Sequence, residues 1–174
     1  MVLPRDGSQA NNAPAIGLMG APVNVTELAN QVRRKIGRTG AAFVKTIEKG
    51  ALLKFCRATG ETNPLYVNEA YALTTPYAGL IAPPTYVSVF TTDAFAGVFE
   101  RDLPLPRFLH TDDVIEYHAP MRVGDIITAQ ATLTDVFVKE GRGGPLLFQA
   151  AEMALTNQHD REVALVRVMM ANFA

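Results

Sequence analysis

The chain has 174 residues, 48% of them hydrophobic and 19% charged. That length suits one domain burying about two-thirds of its unfolded surface, and the composition excludes a disordered chain. A formal net charge of -1 leaves no basic footprint for nucleic acid and no polybasic patch for a membrane surface.

The first stretch, MVLPRDGSQANNAPAIGLMGAPVN, is rich in Gly, Pro, Ala and Asn and carries one basic residue. It lacks the charged start and unbroken apolar core of a signal peptide, so residues 1–23 are expected to form a mobile tail and 24–174 the folded domain. Next, NVTELANQVRRKIG predicts a short helix, with Thr26 as N-cap, Leu28, Val32 and Ile36 on one face, and Gly37 as its stop. A short strand is expected over Phe43–Ile47. Glu48–Thr59 then returns to helical spacing, with Leu52, Phe55 and Cys56 on one side and Gly60 ending it. Cys56 is the sole cysteine, so no internal disulfide forms. It reads as a buried thiol, and a cytoplasmic, reducing compartment fits.

The loop GETNPLYVNEAY, Gly60–Tyr71, pairs an acid with an Asn-Pro turn, and NEAYALTT gives a brief helical turn. YAGLIAPPTY follows, where Pro83 and Pro84 suit the start of a helix. The next segment, TYVSVFTTDAFAGVF, is apolar nearly all round and predicts a buried helix. The remainder reads as strands: VIEYHAP, DIITAQATLTDVFV, GPLLFQAAEMALTNQ and EVALVRVMMANF, divided by turns at RVGD, KEGRGG and NQHDRE. Strands longer than about 10 residues imply a strongly curved sheet. The expected class is therefore α+β, an antiparallel sheet wrapped around one central helix. No apolar run reaches the about 18 residues of a membrane span.

These residues resemble a known family. GETNPLYVNEAYALTTPYAGLIAPPTY, a buried helix, and then EYHAPMRVGDIITAQATLTDV are similar to the MaoC-like hotdog hydratases and dehydratases, over roughly residues 40–174. That family acts on acyl thioesters of coenzyme A or acyl carrier protein. Its active members carry Gly-Asp and then Asn-Pro-aliphatic-His, with a His-Gly pair at the start of the central helix. Adding water to a conjugated enoyl thioester needs a base for the water, an acid for the alpha carbon, and an N–H donor aimed at the thioester oxygen.

At these positions the sequence departs from the pattern. The acid position is Glu61, one methylene longer. The imidazole position is Tyr66, whose phenol ordinarily titrates near pH 10 and makes a poor base at neutral pH. The His-Gly pair becomes Pro83-Pro84, and proline offers no N–H. A hydroxyl further along the helix is retained near Thr92. The resemblance thus assigns Glu61 and Tyr66 to the altered catalytic positions. It assigns Asn63, Gly79, Ala82, Pro84 and Thr92 to substrate binding, and it implies no metal and no cofactor.

Some family members are heterodimers, in which one subunit carries Asp and His while the other has a Tyr-type loop and an Ala-Pro-x-Thr helix start. GLIAPPTY resembles the supporting type, which implies a partner chain holding the catalyst, or else a homodimer with altered chemistry. An acyl-thioester binding protein and a thioesterase are the remaining readings.

Structural readings stand beside these. Asn63-Pro64 shapes a turn in any case, Glu61 is equally a solvated carboxylate after a helix end, and Tyr66 is a buried ring with a satisfied hydroxyl. Of the histidines, His159 lies in a polar turn and His110 opens a strand, where it could approach a cleft. Glu116 and His118 share a strand face and could pair, but solvation at a sheet edge is the preferred reading. No spacing joins the three histidines into a metal site. Arg101, Arg107 and Arg142 are loop cations that a coenzyme A phosphate could meet, although isolated loop arginines are usually surface charge alone.

Overall fold

The computed structural model describes residues 23–174; the expected tail lies outside the described residues except for exposed Val23. In chain order the elements are α1 (Val25–Arg33), β1 (Phe43–Thr46), α2 (Lys49–Thr59), α3 (Pro64–Val67), α4 (Glu69–Leu73), a 3-10 turn (Pro84–Val87) running into α5 (Ser88–Ala94), β2 (Arg107–Tyr117), β3 (Ile126–Gly141), β4 (Gly144–Thr156) and β5 (Glu162–Phe173).

One antiparallel sheet holds all five strands in the order β1-β3-β4-β5-β2, so β1 and β2 are its edges. The strands β3, β4 and β5 follow one another as hairpins because KEGRGG and NQHDRE supply the tight turns between them. Alternation sets the buried face. On β3 the inward side chains are Ile127, Ala129, Ala131 and Leu133, and on β4 they are Leu147, Gln149, Ala151, Met153 and Leu155. A register shift between Leu133 and Asp135 moves the inward set from odd to even numbers, which is why Val136 is buried.

The central helix lies on that face, α5 packing against β1 and β3. Its buried residues are Phe90 and Ala94, with Tyr86 and Val87 from the 3-10 turn. Phe90 meets Phe43 edge-on at 6.2 Å, and Tyr86 meets Phe55 of α2 at 5.0 Å. Gly40 lets the chain pass close to the end of this helix, since a β-carbon there would stand 2.7 Å from the Ala94 carbonyl oxygen.

Several local details differ from the sequence-based expectation. Asn24, not Thr26, caps α1, its Oδ1 accepting the Glu27 N–H at 3.1 Å. The helix stops at Arg33, so Ile36 leaves the apolar face and is exposed, while Val25, Ala29 and Val32 are buried. The central helix is shorter than expected and is not buried all round, because Ser88, Thr92 and Asp93 are exposed. The strand β2 begins at Arg107, seven residues before the expected start at Val114. Among the described residues no helix is long and apolar enough to cross a membrane.

Candidate functional site

The Gly60–Tyr71 loop is built from caps. Gly60 closes α2 in the left-handed region at φ 72°, a conformation that carries no penalty for glycine. Glu61 Oε1 then accepts the backbone N–H groups of Thr62 at 2.9 Å and Asn63 at 2.8 Å. Asn63 caps α3, accepting the Leu65 N–H at 3.0 Å, with Pro64 in the first helical position. Asn68 repeats the device for α4 through the Tyr71 N–H at 3.1 Å. The polar groups that give this loop its catalytic look are thus engaged in shaping it.

Tyr66 follows one turn later and is half-buried. Burial, and then the charge of Glu61, push its phenol above the ordinary tyrosine range. At neutral pH it is a protonated group, able to donate but not to act as a base. The same two causes raise the Cys56 thiol, which is fully buried and therefore inert.

The segment after the loop is clamped by the Arg-Val-Gly-Asp turn. Ala82 N–H donates to the Met121 carbonyl at 2.8 Å, Val123 N–H to Leu80 at 3.2 Å, and Ile81 bridges Arg122. Asp125 Oδ2 accepts the Arg122 N–H at 2.7 Å and Gly124 takes φ 95°, which fixes the turn. This contact explains why the two motifs occur together in one sequence. It also engages the Ala82 N–H, and Pro83 and Pro84 after it have none.

Tyr66, Ala82 and Pro84 come together around a cavity of about 380 Å³, joined by Tyr77, Tyr117 and His118. The Tyr117 hydroxyl donates to the Pro84 carbonyl, and burial pushes its phenol up to about 12 although the residue as a whole is 41% exposed. Thr92 stands elsewhere. It lines a groove of about 1000 Å³ between the central helix and the β2–β5 side of the sheet. Neither cavity is lined by Glu61, Asn63 or Gly79; Gly79, at φ 152°, shapes the turn before Leu80. The seven predicted residues therefore divide between a loop, a small cavity and a large groove.

Of the remaining polar residues, Glu116 pairs with Arg167, whose Nε also donates to Glu152 Oε1 at 2.8 Å. His118, just past the end of β2, lies 3.2 Å from Glu162 with both side chains exposed, in keeping with solvation at the sheet edge and not with a Glu116–His118 pair. His110 does reach the large groove. Arg101 lines the same groove with its guanidinium over the Phe108 ring.

Residues 34–166 match the family model described as FAS1-like, dehydratase domain region. The chain belongs to that family. A UPF0336 protein of Thermobifida fusca is 31% identical over 106 residues, 59% of this chain and 68% of that protein. An (R)-specific enoyl-CoA hydratase of Rhodospirillum rubrum is 32% identical over 94 residues, 54% of this chain and 62% of that protein. The chain thus spans about two-thirds of the length of these curated relatives or slightly less. Among solved structures, the ChsH1–ChsH2 complex of Mycobacterium tuberculosis superposes with a TM-score of 0.67 at 22% identity, covering 86% of this chain and 90% of that one. The shared architecture is the MaoC-like hotdog, as the sequence motifs imply.

Proposed function

We propose that this FAS1-like dehydratase-region chain is the supporting subunit of an enoyl-thioester hydratase or dehydratase. It binds the acyl chain of a coenzyme A or carrier-protein thioester, while a partner chain supplies the aspartate and histidine. One observation carries the reading: at the loop where the family's proton carriers stand, Glu61 caps its own backbone and Tyr66 is held protonated. The helix start adds to it, because neither proline can donate to a thioester oxygen and the Ala82 N–H is already bonded. The large groove beside the central helix has the size and apolar lining of a small-molecule site. Its wall on β2 is a sheet edge, which a partner strand would cover. That a hydratase of this family is similar in sequence, and a two-protein complex similar in fold, agrees with both halves of the proposal.

The experiment is reconstitution. The purified chain is mixed with a hotdog chain bearing Gly-Asp and Asn-Pro-x-His, and hydration of a trans-2-enoyl-CoA is followed by loss of enoyl absorbance. The mixture turns over more substrate than the partner alone, and Glu61→Ala in this chain leaves that rate within about twofold. A rate abolished by Glu61→Ala in a stably folded chain contradicts the supporting role.

A second reading, a homodimer active in its own right, has Glu61 as base, Tyr66 as donor and His110 assisting. The position of His110 in the groove favours it. Its signature is turnover by the chain alone.

A further inference from the structure

Three residues apart on a regular strand, two side chains point to opposite faces of the sheet. His110 and Asp113 nevertheless lie on the same side, with His110 Nε2 2.7 Å from Asp113 Oδ1. The cause is a β-bulge. Pairing of β2 with β5 runs regularly to His110 opposite Met170 and resumes at Asp112 opposite Met169, leaving Thr111 as the extra residue. Its hydroxyl anchors the bulge by donating to the Met169 carbonyl at 3.0 Å. Before the bulge the groove-facing residues are Phe108 and His110; after it they are Asp113 and Ile115. The floor beneath them is Met170, Val168 and Val166 of β5, which stand opposite His110, Asp113 and Ile115 in the register. Without the bulge, Asp112 and Val114 would face the groove and Asp113 would turn away.

A bulge that re-aims a side chain beside a cavity is a common device of binding and active sites. Here it sets one hydrogen-bonded polar pair on an otherwise apolar floor. Whichever tautomer His110 adopts against Asp113 Oδ1, the second carboxylate oxygen of Asp113 keeps its acceptor capacity. The pair therefore offers an acceptor to whatever fills the groove. Across from it the central helix presents Thr92, together with Thr91, whose hydroxyl already donates to the Ser88 carbonyl at 2.9 Å and keeps only its acceptor side. A plain hydrocarbon chain lying there would strip water from these groups and return nothing. A hydroxyl, which both donates and accepts, satisfies the two walls together.

We propose that the groove takes an acyl group bearing a hydroxyl remote from its thioester, and that His110 and Asp113 recognise that hydroxyl. The inference rests on the reading that this groove holds the acyl chain. It adds the class of acyl group.

The test is titration of the full chain by calorimetry with decanoyl-CoA and with its 8-hydroxy and 10-hydroxy analogues. At least one hydroxylated ligand binds the wild-type chain about tenfold more tightly than decanoyl-CoA, the worth of one well-placed hydrogen bond. In His110→Leu and Asp113→Ala that preference falls to within about twofold, and decanoyl-CoA binds as well as before or better. Retained decanoyl-CoA binding also reports that each variant is folded. Equal binding of all three ligands by the wild-type chain overturns the inference and leaves the acyl-binding reading standing. If none of the three binds, the acyl-binding reading itself fails. Turnover of trans-2-decenoyl-CoA by the chain alone, lost in His110→Leu, also overturns the inference and makes the pair a proton-transfer dyad instead.

Discussion

At Glu61 the carboxylate accepts two backbone N–H groups of its own loop, so its first consequence is structural. Removing such a cap costs about 1 kcal/mol. Glu61→Ala is therefore predicted to lower stability by about that amount in urea denaturation, and Glu61→Gln, which keeps an acceptor oxygen, by less. Tyr117 gives a pH-dependent signature. Its phenol is pushed up to about 12 by burial, while in the unfolded chain a tyrosine titrates near 10. The folded value is the higher, so the stabilisation is fully present below about pH 10 and lost as pH rises through about 12. Tyr117→Phe is expected to flatten that part of the stability curve and to remove one of the late-titrating tyrosines from the native protein's tyrosinate absorbance, since Tyr66 and Tyr86 are raised too. These residue roles were only partly legible in the sequence. Residue type alone marks Asn63-Pro64 as a turn, and the structure makes that turn the capped start of α3. What Glu61 accepts, and that the Ala82 N–H is engaged by Met121, depends on where the chain folds back from residue 121.

Among the elements, the strand hairpin β4–β5 carries a buried polar network. Gln149 is fully buried; its amide donates to the Glu100 carbonyl and to Asn172 Oδ1, both at 2.8 Å, and accepts the Glu100 N–H at 2.7 Å. It ties the connection after the central helix to the sheet. Gln149→Leu leaves three partner groups without their bonds and is predicted to cost about 3 kcal/mol or more by denaturant unfolding, at about 1–3 kcal/mol for each group left unsatisfied. Gly40→Ala must push its β-carbon into the Ala94 carbonyl, and about 1–3 kcal/mol of overpacking is expected there by the same measurement. The last strand was read from the sequence with its observed ends, Glu162–Phe173, since its apolar run is bounded by a polar turn. β2 was not. Its first half, RFLHTDD, is polar and bulged, so no alternation marks it, and the bulge that joins His110 to Asp113 comes from register with β5. The central helix looked buried all round because its threonines are flanked by apolar residues; they face the groove.

At the scale of the molecule, β2 is an edge strand whose side chains are nearly all exposed, among them Leu109, Val114, Ile115 and Tyr117. Unpaired backbone groups and exposed apolar side chains on one edge are the marks of a strand that finds a partner. By sedimentation, the chain is expected as a two-chain particle, alone or with its catalytic partner, and Leu109→Glu with Val114→Lys, both outside the groove lining, is expected to shift it towards a single chain. The fold as a whole was legible because long alternating strands after one apolar segment leave few other packings. The division of the predicted site between a loop, a small cavity and a groove was not, since it depends on which surfaces the curled sheet leaves open. The central claim is that this chain holds the acyl group and does not carry the catalyst. The most direct measurement is hydration of a short and a long trans-2-enoyl-CoA by the purified chain alone, paired with acyl-CoA binding on the same sample. Binding without turnover is the predicted result; robust turnover by the isolated chain would contradict it.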